Sequence, residues 1–482
     1  MTTSSDLLAI LPLLVVVGSG MLLLLVDLWL PAQRKFITPL LAALGLVIAL
    51  GVTLSQGGEP RTAFNGMVVV DGFGAFLNVL FLAAGLVGVA LAYDYLKRMD
   101  MEHGEYYALL LISLSGMMLM AYAHDLILVF LALELLSIPL YVLAGFAHPR
   151  AESEEAALKY FLLGTFASGF VLYGTALIFA ATAHTDFQGV VAALTGGSAN
   201  HPLVLVGAGL LLVGFGFKVA AVPFQMWTPD VYQGAPTPVT GFMSVGAKAA
   251  GFTALARVFL VVFPTLAADL TPVLWALAAL TMVAGNVMAL VQTNIKRLMA
   301  YSSIASAGYL LMAFVPYGNG AVASETISAM LFYLLAYAFT SLGAWAVVIS
   351  LEQAEGKGLA LEDYAGLGRK YPLLALAMLV FMLSFTGVPL TLGFWGKFYL
   401  FRTAVIGGYS GLALIGLLTS LASAFYYLRV VVIMYMKPGE PQVRRDAWVN
   451  LTAIVAAALV VGLAFIPGTL LSLATQAILR LQ

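Results

Sequence analysis

Apolar stretches of about twenty residues, separated by short polar breaks, run along the whole chain and leave it few folds to choose from. A helix needs about 20 apolar residues to cross the hydrocarbon core of a bilayer. Fourteen such stretches can be read, at 8–30, 37–56, 72–93, 106–123, 125–147, 156–183, 202–227, 237–264, 272–292, 298–316, 324–351, 372–406, 409–437 and 447–475. Composition agrees. Of 482 residues 62% are hydrophobic and only 9% charged, whereas a soluble domain carries roughly 25% charged residues. The chain therefore reads as an all-α polytopic membrane protein. A transmembrane β-barrel would show weak, alternating segments of about ten residues instead. A net charge of −1 leaves no electrostatic footprint for nucleic acid.

Several chemistries lack their residues. There is no cysteine, so disulfides, thiol chemistry and cysteine-ligated iron–sulfur clusters are excluded. The five histidines, His103, His124, His148, His184 and His201, all sit in or beside polar breaks, where they cannot ligate a haem inside a bundle. Gly396-Lys397 is followed by Phe398 and lacks the upstream glycine of a phosphate loop. No cofactor or metal is expected on this chain, and any redox or nucleotide chemistry it serves belongs to other subunits. Met1–Asp6 has no basic segment, so 8–30 reads as a retained span.

Lysine and arginine set the expected orientation. One set of alternate loops holds 14 of them: Arg34, Lys35, Lys97, Arg98, Arg150, Lys159, Lys296, Arg297, Lys357, Arg369, Lys370, Lys437, Arg444 and Arg445. The other set holds 3, Arg61, Arg402 and Arg480. Both termini are then expected on the non-cytoplasmic side of the membrane.

The informative charges are those inside spans: Glu134, Lys218, Lys248, Arg257, Lys397 and Arg429, with Asp27 near the end of the first. A charge at mid-bilayer costs roughly 2.5–3.5 kcal/mol on insertion scales. It persists where it pairs, lines a wet cavity or carries ions. Glu134 sits midway in LVFLALELLSIPLYVLAG, where it either fixes helix register through a salt bridge or binds protons and tunes a nearby lysine. Lys248 lies ten residues past Pro238, roughly 15 Å from the nearer helix end at about 1.5 Å per residue. That is too deep for snorkelling, and buried lysines exchange protons more readily than exposed ones.

Lys218 and Lys397 close two G-F-x-x-K sequences, Gly214–Lys218 and Gly393–Lys397, 179 residues apart and each near a proline, Pro223 or Pro389. Interrupted spans in two corresponding halves are the mark of a transporter built from structural repeats. Proline kinks with snorkelling lysines are the simpler reading. Arg257 and Arg429 stay protonated and suit structural pairing. Arg429 follows Lys248 by 181 residues and is its candidate counterpart in the second half. Asp27 reads as interfacial.

The run Trp227-Thr228-Pro229-Asp230-Val231-Tyr232-Gln233-Gly234-Ala235-Pro236-Thr237-Pro238-Val239, followed by Lys248 and Arg257, resembles the antiporter-like membrane subunits of respiratory complex I, a proton-translocating NADH–quinone oxidoreductase. The resemblance covers essentially the whole chain. It implies two inverted five-helix repeats, spans 4–8 and 9–13, with spans seven and twelve discontinuous. The expected division is 1–105 (three helices), 106–264 (first repeat), 265–438 (second repeat) and 439–482 (last helix). It also implies a proton relay of a glutamate on span five and lysines on spans seven, eight and twelve, matching Glu134, Lys218, Lys248 and Lys397. A lysine on span twelve and the absence of a long C-terminal lateral helix separate the chain from other branches of the family. The implied partners are further membrane subunits, including related antiporter-like ones, together with membrane lipid and protons. Flavin, iron–sulfur clusters and quinone are expected on partner subunits. A cation/proton antiporter subunit of the Mrp type and a scaffold whose buried ion pairs only fix helix register remain as alternatives.

Overall fold

The computed structural model describes residues 4–57, 60–320, 322–353, 356–444 and 446–477. Met1, Arg445 and Arg480 of the sequence reading lie outside the described residues. The chain is helical almost throughout. It opens with α1 (Ser4–Ala9), α2 (Leu11–Trp29), α3 (Ile37–Ser55), α4 (Gly72–Arg98), α5 (Gly104–Tyr122) and α6 (Leu126–Ala144). There follow α7 (Ala151–Thr182), α8 (Phe187–Thr195), α9 (His201–Lys218), α10 (Trp227–Gly234), α11 (Thr237–Leu255), α12 (Ala267–Leu290) and α13 (Ile295–Phe314). The last are α14 (Ala323–Leu351), α15 (Leu367–Lys370), α16 (Pro372–Thr386), α17 (Leu392–Ile406), α18 (Ser410–Met436), α19 (Ala447–Gly462) and α20 (Pro467–Gln476).

Among the described residues, twelve helices are long and apolar enough to cross a membrane. Two sequence readings fall outside that set for physical reasons. The helix at 298–316 is rich in serine and tyrosine, which it buries against protein. The stretch 372–406 is split into α16 and α17. Three further spans differ from the reading. The stretch 202–227 ends as a helix at Lys218 and resumes as short α10. The stretch 447–475 bends at Pro467, because proline cannot continue the incoming helix. The stretch 8–30 is interrupted at Ile10. A small antiparallel hairpin, β1 (Arg61–Ala63) with β2 (Val68–Val70), sits between α3 and α4 and was not foreseen.

Position in the bundle follows from which faces are apolar. From Thr237 to Leu260 every residue is buried, and α13 and most of α14 are buried too. A helix surrounded by protein can carry polar side chains on any face, and these three bury Ser244, Ser302, Ser303, Ser306, Ser341, Tyr309, Tyr333 and Tyr337. The outer helices α2, α3, α7, α18 and α19 leave rows of leucine, valine and phenylalanine exposed, as a lipid-facing or subunit-facing surface does. Small residues set the close approaches. A Cβ on Gly116 would stand 2.3 Å from the backbone of Leu136, and one on Gly285 2.6 Å from that of Ala305.

The basic loops gather at one end. Arg98 pairs with Asp446 at 2.7 Å, Lys437 with Glu362 at 2.9 Å, and Arg297 with Asp230 at 2.8 Å. One member of the loop set departs from the reading: Lys296 is 1% exposed and belongs to the interior.

Candidate functional site: three buried lysines along the central helices

Lys218 is the last residue of α9, and the backbone leaves the helix there through Ala220 in the left-handed region (φ +60°) and Pro223. The groups freed by the break find partners. The Trp227 indole donates to Phe217 O at 2.9 Å, and Val222 N donates to Thr281 Oγ1 at 2.9 Å. The Lys218 ammonium donates to Ser137 Oγ (2.7 Å) on α6 and Tyr160 OH (3.1 Å) on α7. It also lies 5.4 Å from the Tyr160 ring centre. Tyr160 is held in turn by Trp227, stacked on it at 4.6 Å with 8° between planes. Trp227 begins α10, which Asp230 fastens to Lys159 (2.6 Å) and Arg297 (2.8 Å). The long Trp–Gly–Ala–Pro motif is therefore a clamp that orients Tyr160 on Lys218.

Glu134 lies one turn from Ser137 on α6 and is half-buried. Its charge acts on Lys218, but no direct salt bridge joins them, and Glu134 Oε1 has no hydrogen-bond partner. Ser137 and Tyr160 take the ammonium, and the carboxylate acts on it from one turn along α6.

Lys248 sits inside α11 and is 4% exposed. Its ammonium donates to both the carbonyl and the hydroxyl of Ser303 on α13, and it lies 5.0 Å from the Tyr337 ring of α14. Gly251, one turn further along α11, faces the end of α9; a Cβ there would stand 2.8 Å from Val219 Cγ1 and 3.4 Å from Lys218 Cγ. Lys218 and Lys248 thus face neighbouring turns of one helix.

Lys397 lies in α17, beyond the second break. Its ammonium reaches back across the break to Thr386 O (3.0 Å), the last carbonyl of α16, and to Ser420 Oγ (2.8 Å) on α18. It also lies 4.8 Å from the Tyr309 ring. Gly387, at φ +88°, makes the turn that α16 needs to stop. A hollow of about 10 Å³ is lined by Tyr333, Tyr337, Thr340, Ser384 and Lys397. The Tyr337 that faces Lys248 therefore also faces Lys397, and the hollow is of the size that holds one water.

The remaining intramembrane charges are fixed. Arg257 and Asp71 form a forked pair (2.7 and 2.7 Å), with Arg257 also donating to Ala121 O at 2.6 Å. Asp71 in turn caps α4 by accepting from Gly74 N at 2.8 Å. Arg429 donates to Leu290 O (3.0 Å) and Gln292 O (2.5 Å), closing the carbonyl end of α12. Asp27 accepts from Lys35 at 2.5 Å at the end of α2. His124, between α5 and α6, is pushed down to about 4 by burial and by nearby Arg257, so it stays neutral at physiological pH. Among the described residues no cluster of histidine, aspartate and glutamate could hold a metal ion.

The sequence reading missed Ser137, Tyr160, Ser303, Tyr337, Ser420 and Asp71. Serine and tyrosine are too common in this chain to stand out. Asp71 carried a weak signal, an acid just before a span that starts at Gly72.

Residues 123–423 match the family model described as NADH:quinone oxidoreductase/Mrp antiporter, transmembrane. The chain is 49% identical over 477 residues to NADH-quinone oxidoreductase subunit N of Trichlorobacter lovleyi, covering 97% of this chain and 96% of that one. It superposes with TM-score 0.83 and 39% identity on a chain of respiratory complex I from Thermus thermophilus with bound aureothin, over 96% of this chain and 99% of that one. A chain of the Mrp complex of a Dietzia species shares the fold, with TM-score 0.86 at 19% identity, over 98% of this chain and 97% of that one. The chain belongs to the NADH:quinone oxidoreductase/Mrp antiporter transmembrane family.

Proposed function

We propose that this chain is a proton-translocating membrane subunit of a bacterial NADH–quinone oxidoreductase, in the place that subunit N holds in its relatives. It carries no redox centre and works in the inner membrane beside related antiporter-like subunits, with flavin, iron–sulfur clusters and quinone on its partners. The carrying observation is the line of three buried lysines, 218, 248 and 397. Each is held by hydroxyl or carbonyl oxygens rather than by a direct carboxylate partner. Full-length identity to subunit N supports the oxidoreductase over the Mrp reading, for which fold alone speaks.

In this reading Glu134 favours the charged form of Lys218 from one helical turn away. A disturbance of Glu134 by a neighbouring subunit removes that support. The proton then passes from Lys218 to Lys248 across the Gly251 face, and past Tyr337 and its hollow to Lys397. Moving one charge across 100 mV costs about 2.3 kcal/mol, and one pKa unit corresponds to about 1.4 kcal/mol. Shifts of about two units therefore drive a step. The two repeats, 106–264 and 265–438, are proposed as the units that carry these sites. The deciding experiment is proton pumping by the assembled complex with Lys218→Ala or Glu134→Ala. The expected result is loss or sharp reduction of pumping. Near-normal pumping in a well-assembled variant overturns the relay and leaves the scaffold reading. Flavin and iron–sulfur partners co-purifying with the chain separate the oxidoreductase from an Mrp antiporter.

A further inference from the structure

Glu352, Lys296, Thr237 and Tyr364 form a buried polar cluster at the basic end of the bundle. Glu352 directly follows α14, Lys296 lies in the first turn of α13 and Thr237 begins α11; none is more than 1% exposed. Lys296 Nζ donates to Ala235 O at 2.7 Å, and Thr237 N points at Tyr95 OH at 3.5 Å. The Glu352 charge acts on Lys296, Tyr95 and Tyr364. Three oxygens here have no hydrogen-bond partner: Glu352 Oε2, Thr237 Oγ1 and Tyr364 OH. Buried polar atoms are nearly always satisfied by protein or by water, so three orphans beside an ammonium mark a place that water fills. A carboxylate at the carbonyl end of a helix is electrostatically misplaced, so stability of α14 does not explain it.

From this cluster three helices carry polar side chains inward at matching intervals. On α11 they are Thr237, Ser244 and Lys248; on the α14 side Glu352, Trp345, Ser341 and Tyr337; on α13 Lys296 and Ser303. Offsets of seven and eleven residues stay on one helix face, and eleven residues span roughly 16 Å. The rows touch. Ser244 and Ser341 hydroxyls are 3.0 Å apart, and the Trp345 indole donates to Ser244 Oγ at 3.0 Å. Trp345 rests on Gly241, where a Cβ would stand 3.2 Å from its own Cβ. Along α14 it stands between Glu352 and Tyr337, the residue that faces Lys248.

We propose that Glu352 is the uptake carboxylate of a proton route from the basic end to Lys248, and that Trp345 is its gate. The inference rests on the relay reading above. A proton binds the Glu352 carboxylate and moves inward through water held by the orphaned oxygens. When Trp345 lifts from Gly241, it passes the Ser244 and Ser341 hydroxyls to the neutral Lys248 amine, and Glu352 is left ionised beside Lys296. The test uses the intact oxidoreductase in liposomes, with NADH-driven pumping measured against electron flow. Glu352→Gln is expected to lower the proton-to-electron ratio to the level of Lys248→Met. Glu352→Asp is expected to recover most of the ratio. Trp345→Ala is expected to raise passive proton leak under an imposed gradient without NADH by about tenfold, the effect of removing about 1.4 kcal/mol of barrier. Adding Glu352→Gln should bring that leak back down. A wild-type ratio for Glu352→Gln, where Lys248→Met has lost pumping, overturns the inference and leaves the relay standing. Normal pumping by Lys248→Met overturns the relay itself. Should Glu352→Gln fail to assemble, the double variant Thr237→Val with Tyr364→Phe removes only the two orphaned hydroxyls. A lowered ratio there supports the route, and an unchanged ratio overturns it.

Discussion

The two broken helices use a lysine in opposite ways. In the first, Lys218 ends the incoming half-helix and turns away from the break, to Ser137 and Tyr160, with Glu134 one turn behind. In the second, Lys397 stands on the outgoing half-helix and reaches back over the break to the last carbonyl of α16. The matching G-F-x-x-K letters are thus not equivalent positions. What the two sites share is an ammonium at the carbonyl end of the incoming half-helix, where the helix dipole favours positive charge. What separates them is the carboxylate. Lys218 has a carboxylate near it, whereas Lys397 is held by dipoles alone. A site with a carboxylate can be switched by moving that carboxylate, a handle that Lys397 lacks.

The comparison can be broken by variants of unequal severity. The largest effect is expected from Lys218→Ala and Lys397→Ala, each of which should abolish pumping by the assembled complex in vesicles. Wild-type pumping by either one removes that site from the path. Next is Ser420→Asp, which gives the second site the carboxylate it lacks. Buried charge pairs couple by about 1.5–7 kcal/mol, so pumping should slow on the order of a hundredfold. An unchanged rate would show that the missing carboxylate does not matter. Ser137→Ala and Ser420→Ala each remove one hydrogen bond to an ammonium, a contribution of about 1.5–3 kcal/mol. Tenfold slower turnover is expected in each case, with the loss at Ser137 softened by Glu134. The smallest effect is expected from Gly387→Ala, which forces a side chain into the left-handed region at about 1–2 kcal/mol and crowds Lys397 Cδ at 3.0 Å. It should lower the thermal stability of the purified complex slightly and slow release from Lys397, leaving the Lys218 site untouched.

Much of the site was legible because charge is rare here. Glu134, Lys218, Lys248 and Lys397 stand out as ionisable residues in apolar runs, and the structure lines up the three lysines. The list was misleading where burial runs against sequence position. Lys296 read as a loop charge because it borders a span, yet it is buried in the interior, and Glu352, which follows α14, is buried with it. Asp71 was invisible as the partner of Arg257, because the two are 186 residues apart and nothing local links them. The breaks were signalled by Pro223 and Pro389, but which half-helix holds the lysine depends on where each turn begins.

The sequence by itself determined that the chain crosses a membrane many times and which few ionisable residues lie within it. Hydropathy over about twenty residues is a local property, and a lone charge in an apolar run is conspicuous. Only the tertiary structure decided what each charge meets: hydroxyls for Lys218, a carbonyl for Lys397, a carboxylate for Arg257. Those partners come from helices distant in the chain, and packing of small residues sets which turns of which helices come together.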